Sequence, residues 1–279
     1  MRELAYFENL DGDSRVYIDT INNGYTTELV MPFYIADRTD GEIGIFDAGQ
    51  QYDYVRSTFI LETTPERAGQ LTSFWNEHGR DNKVKLFTPS TWGIYPFGFN
   101  FPTGTEFTCS IENFTNQGQV SSPYLYHKFS MTLVMNDFSE ESEPSTLDCV
   151  EPGSLTIADV ANIRFPRRMF KPEITYEIYS ATTIGGEVYK TNRGSDSDSR
   201  NTSFELYMSE EAAGQLIYKL RRTVRSSPFI MQVPKNSFPF GYEAGDNAGF
   251  LCKLAEKTIE TVHNKYKDVN MSLKFRKVS

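Results

Sequence analysis

Ala68-Gly69-Gln70-Leu71 returns as Ala213-Gly214-Gln215-Leu216, a displacement of 145 residues. Four matching residues carry little by themselves. The same displacement sets Gly41-Glu42-Ile43 on Gly186-Glu187-Val188, Phe59-x-Leu61 on Phe204-x-Leu206, and Tyr34-x-Ala36 on Tyr179-x-Ala181. It also pairs Asp53 with Asp198 and Pro89 with Pro234. A two-residue deletion brings Pro96-Phe97-Gly98 onto Pro239-Phe240-Gly241 and Phe107-x-Cys109 onto Phe250-x-Cys252. Three more deleted residues bring Met131-Thr132-Leu133 onto Met271-Ser272-Leu273. Matches in one order, with gaps confined to loops, are the signature of an internal repeat. Residues from about 15 to 136 and from about 162 to 279 therefore read as diverged copies of one β-rich unit.

The two copies decode each other. Val30 to Ile35 and Ile174 to Tyr179 are β-favouring runs, each followed by a Gly-bearing turn region and a second strand near Ile43 or Val188. Each reads as a long hairpin, with Asp47–Asp53 and Gly194–Ser199 as the expected polar tips. Strands at Ser57–Glu62 and Thr202–Tyr207 lead into helices that open on Thr64-Pro65-Glu66 and Ser209-Glu210-Glu211. A hydroxyl N-cap, an acidic first turn and proline at the first helical position are good helix starts. Ala68, Leu71 and Trp75, matched by Ala213, Leu216 and Leu220, form an apolar stripe that lays each helix on a sheet. Strands follow near Val84–Thr88, Phe107–Phe114 and Phe129–Met135, the last matched by Met271–Lys277. Phe250 to Lys267 alone could be an amphipathic helix, but its extended partner at Phe107 favours a strand at its start.

The expected fold is mainly β with one helix per domain (α+β): two tandem β-sandwich or half-barrel domains. Domain one spans 1–136 and domain two 162–279, with 137–161 as an exposed linker rich in Glu and Pro. The charge divides along the same lines. Residues 1–136 carry 9 Lys/Arg against 17 Asp/Glu, the linker 0 against 7, and residues 162–279 carry 19 against 13. One domain is thus acidic and the other basic, within a total of −9.

Function classes fall away by elimination. No apolar run reaches the roughly 18 residues of a membrane span, and Met1 to Tyr6 lacks the stretch of a signal peptide, so a chain made in the cytoplasm is expected. Cys109, Cys149 and Cys252 are sparse and odd in number, which points to reduced thiols. His78, His127 and His263 show no metal-binding spacing, and no nucleophile elbow or phosphate loop occurs. Asp11-Gly12-Asp13 reads as a surface turn. No cofactor, metal or catalytic residue is expected. Trp92 and Tyr95, in an aromatic loop, suit an interface or a ligand platform. Arg221, Arg222 and Arg225 form the one basic cluster, at a helix C-terminus where cations complement the dipole. Specific nucleic-acid binding is disfavoured by the low pI.

Two tandem units, each with a long polar hairpin (Val30–Asp53, Ile174–Asp198) and one flanking helix (Thr64–His78, Ser209–Thr223), resemble the tail-tube fold of tailed bacteriophages. The tandem form is similar to their baseplate hub and tube-initiator proteins. The resemblance implies a non-enzymatic virion protein of the phage tail or baseplate. It also implies a ring of the chain with itself, other tail-tube and baseplate proteins as neighbours, and a tape-measure protein as a further candidate partner. DNA would pass through the lumen. Alternating acidic and basic copies predict a homotrimer with pseudo-sixfold symmetry, the competitor being a homohexamer. Expected ring contacts are Asp47, Asp53, Trp92, Tyr95, Asp196, Asp198, Arg221, Arg222 and Arg225. The alternative reading is a soluble β-sandwich module that binds carbohydrate or peptide through Trp92 and Tyr95.

Overall fold

Burial alternates without a break along Tyr54–Thr63, with Val55, Phe59 and Leu61 turned into the core. That is the period of a strand covered on one face. The structure, a computed structural model, describes residues 4–21, 24–37, 43–80, 82–122, 124–144, 155–163, 170–175, 178–192, 199–246, 248–264 and 268–278. The first half contains β1 (Ala5–Asn9), β2 (Arg15–Ile18), β3 (Thr20–Ile21), β4 (Tyr25–Val30), β5 (Phe33–Asp37), β6 (Ile43–Asp47), β7 (Tyr54–Thr63), α1 (Pro65–Phe74), β8 (Lys83–Phe87), β9 (Glu106–Ser122) and β10 (Tyr124–Met135). The second contains β11 (Leu155–Ile157), β12 (Val160–Ile163), β13 (Lys171–Thr175), β14 (Ile178–Thr182), β15 (Val188–Asn192), β16 (Ser199–Ser209), α2 (Glu210–Lys219), β17 (Phe229–Gln232), β18 (Gly249–Leu254), β19 (Thr258–His263) and β20 (Asp268–Lys277).

The chain is mainly β with two short helices, and the described pairings are antiparallel. In the first half the neighbours run β4-β7-β10-β9-β8-β1-β2. The second half repeats this order: β13 pairs β16, β16 pairs β20, and β20 passes through β18 to β17, β11 and β12. Long β9 is represented there by two strands, β18 and β19, which pair β20 in succession. One further ladder, β19 against β4 from Thr258–Val30 to His263–Tyr25, fuses both halves into a single sheet. Two hairpins stand outside that sheet: β5–β6 and β14–β15.

Both helices start as the sequence predicts. Thr64 Oγ1 accepts from the Arg67 amide and Ser209 Oγ from the Ala212 amide. Each helix ends in one wide π turn, at Trp75–Gly79 and Leu220–Val224. Gly79 is obligatory there, because a Cβ would lie 2.4 Å from the Trp75 ring. Ala68, Leu71 and Phe74 of α1 are buried, and Trp75 stacks on Phe114.

Several expectations need correction. The hairpin registers (Phe33 opposite Asp47, Ile178 opposite Asn192) move both tips. The first tip falls among residues outside the described set, and the second is Thr183–Glu187, turned by Gly186 at φ 84°. Asp47–Asp53 is therefore the foot of a hairpin, where the chain turns back into β7. Asp196 and Asp198 lie outside the described residues. Leu155–Ile157 and the first residues of Val160–Ile163, expected in the linker, belong to strands of the second half's sheet. The span from Phe250 opens as a strand, as expected, and continues as a second strand rather than a helix. Finally, Met131 faces Phe59 while Leu273, not Met271, faces Phe204. The last strands therefore correspond at 142 residues rather than 140. A slip of two keeps the same face inward, so apolar matching alone could not detect it.

Cys109 and Cys252 are free and buried. Burial pushes both thiols up to about 12, with Lys277 opposing slightly at Cys252. The reactive species is the thiolate, so neither should react with a maleimide at pH 7.5 in the native protein, and both should react in urea. Native labelling of either peptide, read by mass spectrometry, would contradict this placement.

Candidate functional site

The foot of the first hairpin and the end of α2 meet in one cluster of charges. Gly49, at φ 107°, reverses the chain after β6, and its amide donates to Asp47 Oδ1 at 2.8 Å. A short 3-10 turn then delivers Asp53 to the base of β7, with no exposed surface. Opposite, the π turn after α2 swings Arg221, Arg222 and, just beyond it, Arg225 toward the first half.

Arg225 Nη1 donates to both oxygens of Asp53, at 2.7 and 2.9 Å, and its Nε donates to Asp47. Arg221 Nη1 reaches Asp53 Oδ2 at 3.4 Å, and the same guanidinium pairs with Glu141. Arg222 Nε donates to Glu141 at 3.0 Å and its Nη1 to Gln50 at 3.1 Å. Phe138 closes the cluster, its ring centroid 3.9 Å from the Arg221 guanidinium carbon. Three arginines thus meet three carboxylates. The Arg221, Asp53 and Glu141 side chains are at most 1 % exposed. Matched charges of this kind are tolerated in a core because each ion is hydrogen-bonded by its partner. Arg225, at φ 34°, adopts a backbone conformation that non-glycine residues rarely take.

Electrostatics follow the geometry. Burial alone would raise Asp47, but the Arg225 hydrogen bond, the Gly49 amide and the arginine's charge hold its carboxyl below the usual 3.8. Burial likewise disfavours the charged Arg225, and its bonds to Asp47 and Asp53 outweigh that and raise it.

A second contact lies along the β4–β19 ladder. The His263 ring stacks on Tyr25 with centroids 4.1 Å apart. Its Nε2 lies 3.0 Å from Thr27 Oγ1 and its Nδ1 3.3 Å from Glu210 Oε1. Tyr25 accepts a hydrogen bond from the Tyr95 amide. Burial first, and Glu210 second, push the Tyr25 phenol above its ordinary value, so it stays protonated. Just beyond, α2 runs over the 97–101 loop so closely that a Cβ on Gly214 would sit 2.6 Å from Asn100 Oδ1.

Of the expected ring contacts, Asp47, Asp53, Arg221, Arg222 and Arg225 come together in this one cluster within the chain. Trp92 is half-buried against the core, and the Tyr95 ring packs on Phe99 at 4.9 Å. Sequence reasoning missed Glu141, Phe138 and Gln50, and it missed His263 with Glu210. Glu141 sits in a run that reads as an exposed linker, and nothing in the run marks it as buried. The most exposed large apolar side chains among the described residues lie on or near the hairpins: Tyr34 (78 % exposed), Phe46 and Tyr52 at the first, Ile184, Val188 and Tyr189 on the second. An open cleft of about 430 Å³ lies at the first hairpin's foot, lined by Phe33, Tyr34 and residues 255–258. Among the described residues no group of His, Cys, Asp or Glu is placed to hold a metal ion, and no helix is long and apolar enough to cross a membrane.

No protein-family model matches the chain, and no curated protein matches it.

Asp53→Ala would leave two buried guanidinium groups short of a partner. A loss of about 3–5 kcal/mol is expected, read as a lower urea midpoint, with Asp53→Asn losing less. The Asp47 carboxyl is held below its unfolded value, so its contribution is present above about pH 4 and disappears as pH falls through the lower folded value. Asp47→Asn should flatten the acid limb of the stability curve below pH 4 and leave the Arg222–Glu141 pair in place.

Proposed function

We propose that the chain is a structural protein of the phage tail or baseplate, a ring-former of the hub or tube-initiator type. Its halves would be diverged copies of one tail-tube-like unit. The supporting observations are physical. The two halves share one pairing order, and β16, α2 and the π turn after α2 lie 145 residues beyond β7, α1 and the π turn after α1. The observation that carries the proposal is the pair of hairpins outside the sheet, each bearing exposed aromatic or aliphatic side chains. A two-stranded ribbon is marginal in water by itself, and exposed apolar groups on one mark a surface meant for covering. Neighbouring chains and neighbouring rings would supply the cover.

In this reading an acidic half (9 Lys/Arg against 17 Asp/Glu) meets a basic half (19 against 13) at every contact of a ring. Opposite charge favours that alternation over like-with-like pairing. Three chains would make a pseudo-sixfold homotrimer of about 96 kDa (three of 31.9 kDa), and a homohexamer would stack two such layers. The neighbours would be tail-tube and baseplate proteins in the virion, with a tape-measure protein and DNA in the lumen. The carbohydrate- or peptide-binding alternative is weaker, since Trp92 and Tyr95 are engaged within the fold.

Light scattering on the concentrated protein should give the mass of three chains, and mass spectrometry of purified particles should find the chain among virion proteins. Its absence from the particles would overturn the reading.

A further inference from the structure

The contact between the halves has a vacant counterpart, and several differences locate it. Inside the chain, β4 lies under β19 and is largely buried, whereas β13, which holds the same place in the second half, is exposed at Lys171, Pro172, Glu173 and Thr175. β13 pairs β16 along one side, and its other edge has no partner among the described strands. The complementary edge is equally open. β9 pairs β8 only over Glu106–Ser110, so among the described strands its continuation at Asn113–Thr115 pairs with β10 alone.

The helices differ in the same way. α2 buries Glu210, Ala212, Gly214 and Gln215 in addition to the stripe it shares with α1; the 97–101 loop of the first half lies against Gly214, and Glu210 lies beside His263 of β19. On α1 the corresponding Gly69 and Gln70 are exposed, and a Cβ at Gly69 would meet nothing within 4 Å. Glycine inside a helix is unfavourable relative to alanine, and nothing in the free chain calls for it at Gly69. At Gly214 the reason is plain: the loop approaches too closely for a side chain.

We propose that a second copy of this chain docks on the first half by repeating the internal joint, its β13 edge running antiparallel to Asn113–Thr115 and its 240–244 loop covering α1 at Gly69. This rests on the ring reading above and assigns that ring its joint. The register follows from the observed ladders. Glu260 faces Ser272, which faces Glu205; Thr115 faces Ser130, which faces Ile60, the position 145 residues before Glu205. Thr115 therefore holds the place of Glu260, whose partner across the internal joint is Glu28. Glu173 stands 145 residues beyond Glu28, so Thr115 of one copy faces Glu173 of the next. Phe114 then faces Ile174. The ladder is short: Pro172 has no amide hydrogen to give, and β9 bulges beyond Asn116. Both interruptions fall at the same step. The contact is head-to-tail, so it leaves each added copy with one open edge until rotation closes the ring.

Two variants test the joint. Thr115→Cys with Glu173→Cys, oxidised at high protein concentration, should give disulfide-linked dimers and trimers on a non-reducing gel, and neither single variant should. Gly69→Leu should melt at or above the parent's temperature and raise the concentration needed for assembly at least tenfold, because the side chain fills the space of the incoming loop. Assemblies that form without the disulfide, or that are indifferent to Gly69→Leu, would overturn this joint and leave the ring standing. A chain that stays monomeric at millimolar concentration would remove both.

Discussion

Everything in this molecule hangs on the ladder between β4 and β19. It joins strands whose residues Thr27 and His263 are 236 positions apart, and it turns two half-sheets into one. An unpaired edge strand exposes a row of amides and carbonyls that any extended chain can occupy. The ladder satisfies one such row from each half. The burial of Tyr25, Thr27 and Leu29 and the docking of α2 on the 97–101 loop follow from it. The charge cluster lies beside that ladder and depends on it for its desolvation. Arg221 and Asp53 could not be shut away from water unless the halves were already held at fixed distance.

Buried ion pairs seldom add much net stability, since desolvation of each ion offsets most of their attraction. Their stronger effect here is on geometry. A neutral apolar patch would tolerate sliding of one half over the other, whereas the two Arg225 Nη1 bonds to Asp53 fix one alignment. That alignment sets where the hairpins point, because Asp47 anchors the foot of the first one. In a ring of the kind proposed, the direction of such projections would decide what they touch.

The mainly-β class and the two helices were legible in the sequence, and the site only unevenly. Helix starts were legible because Thr64-Pro65-Glu66 and Ser209-Glu210-Glu211 encode local chemistry. The strands before the helices were legible because Phe59-x-Leu61 and Phe204-x-Leu206 meet the same packing demand in both halves. The hairpin tips were misplaced because polarity marks exposure and says little about which polar stretch is the turn. Gly185-Gly186 was the better signal, and the hydrophilic Gly194–Ser199 run outshone it. Arg221, Arg222, Asp47 and Asp53 were singled out for contacts between chains, and the structure joins them in one cluster within the chain. A charge pattern shows that opposite surfaces will meet; only the fold shows that they already have. Glu141 and His263 left no mark at all, since both act through partners distant in sequence.

The span of that central ladder also has a meaning in time. A ribosome adds about 5–20 residues per second, so roughly 10–50 s pass between the emergence of Thr27 and that of His263. Through that interval the first half can fold around Phe59, Leu61 and Met131, but its β4 edge has no strand to receive. The nascent chain is therefore most vulnerable to pairing with a stranger while its own second half is still being made. Two adjacent ribosomes on one message would hold such edges close together. The long separation of β4 and β19 along the chain makes synthesis the stage at which the β4 edge must be kept from mispairing.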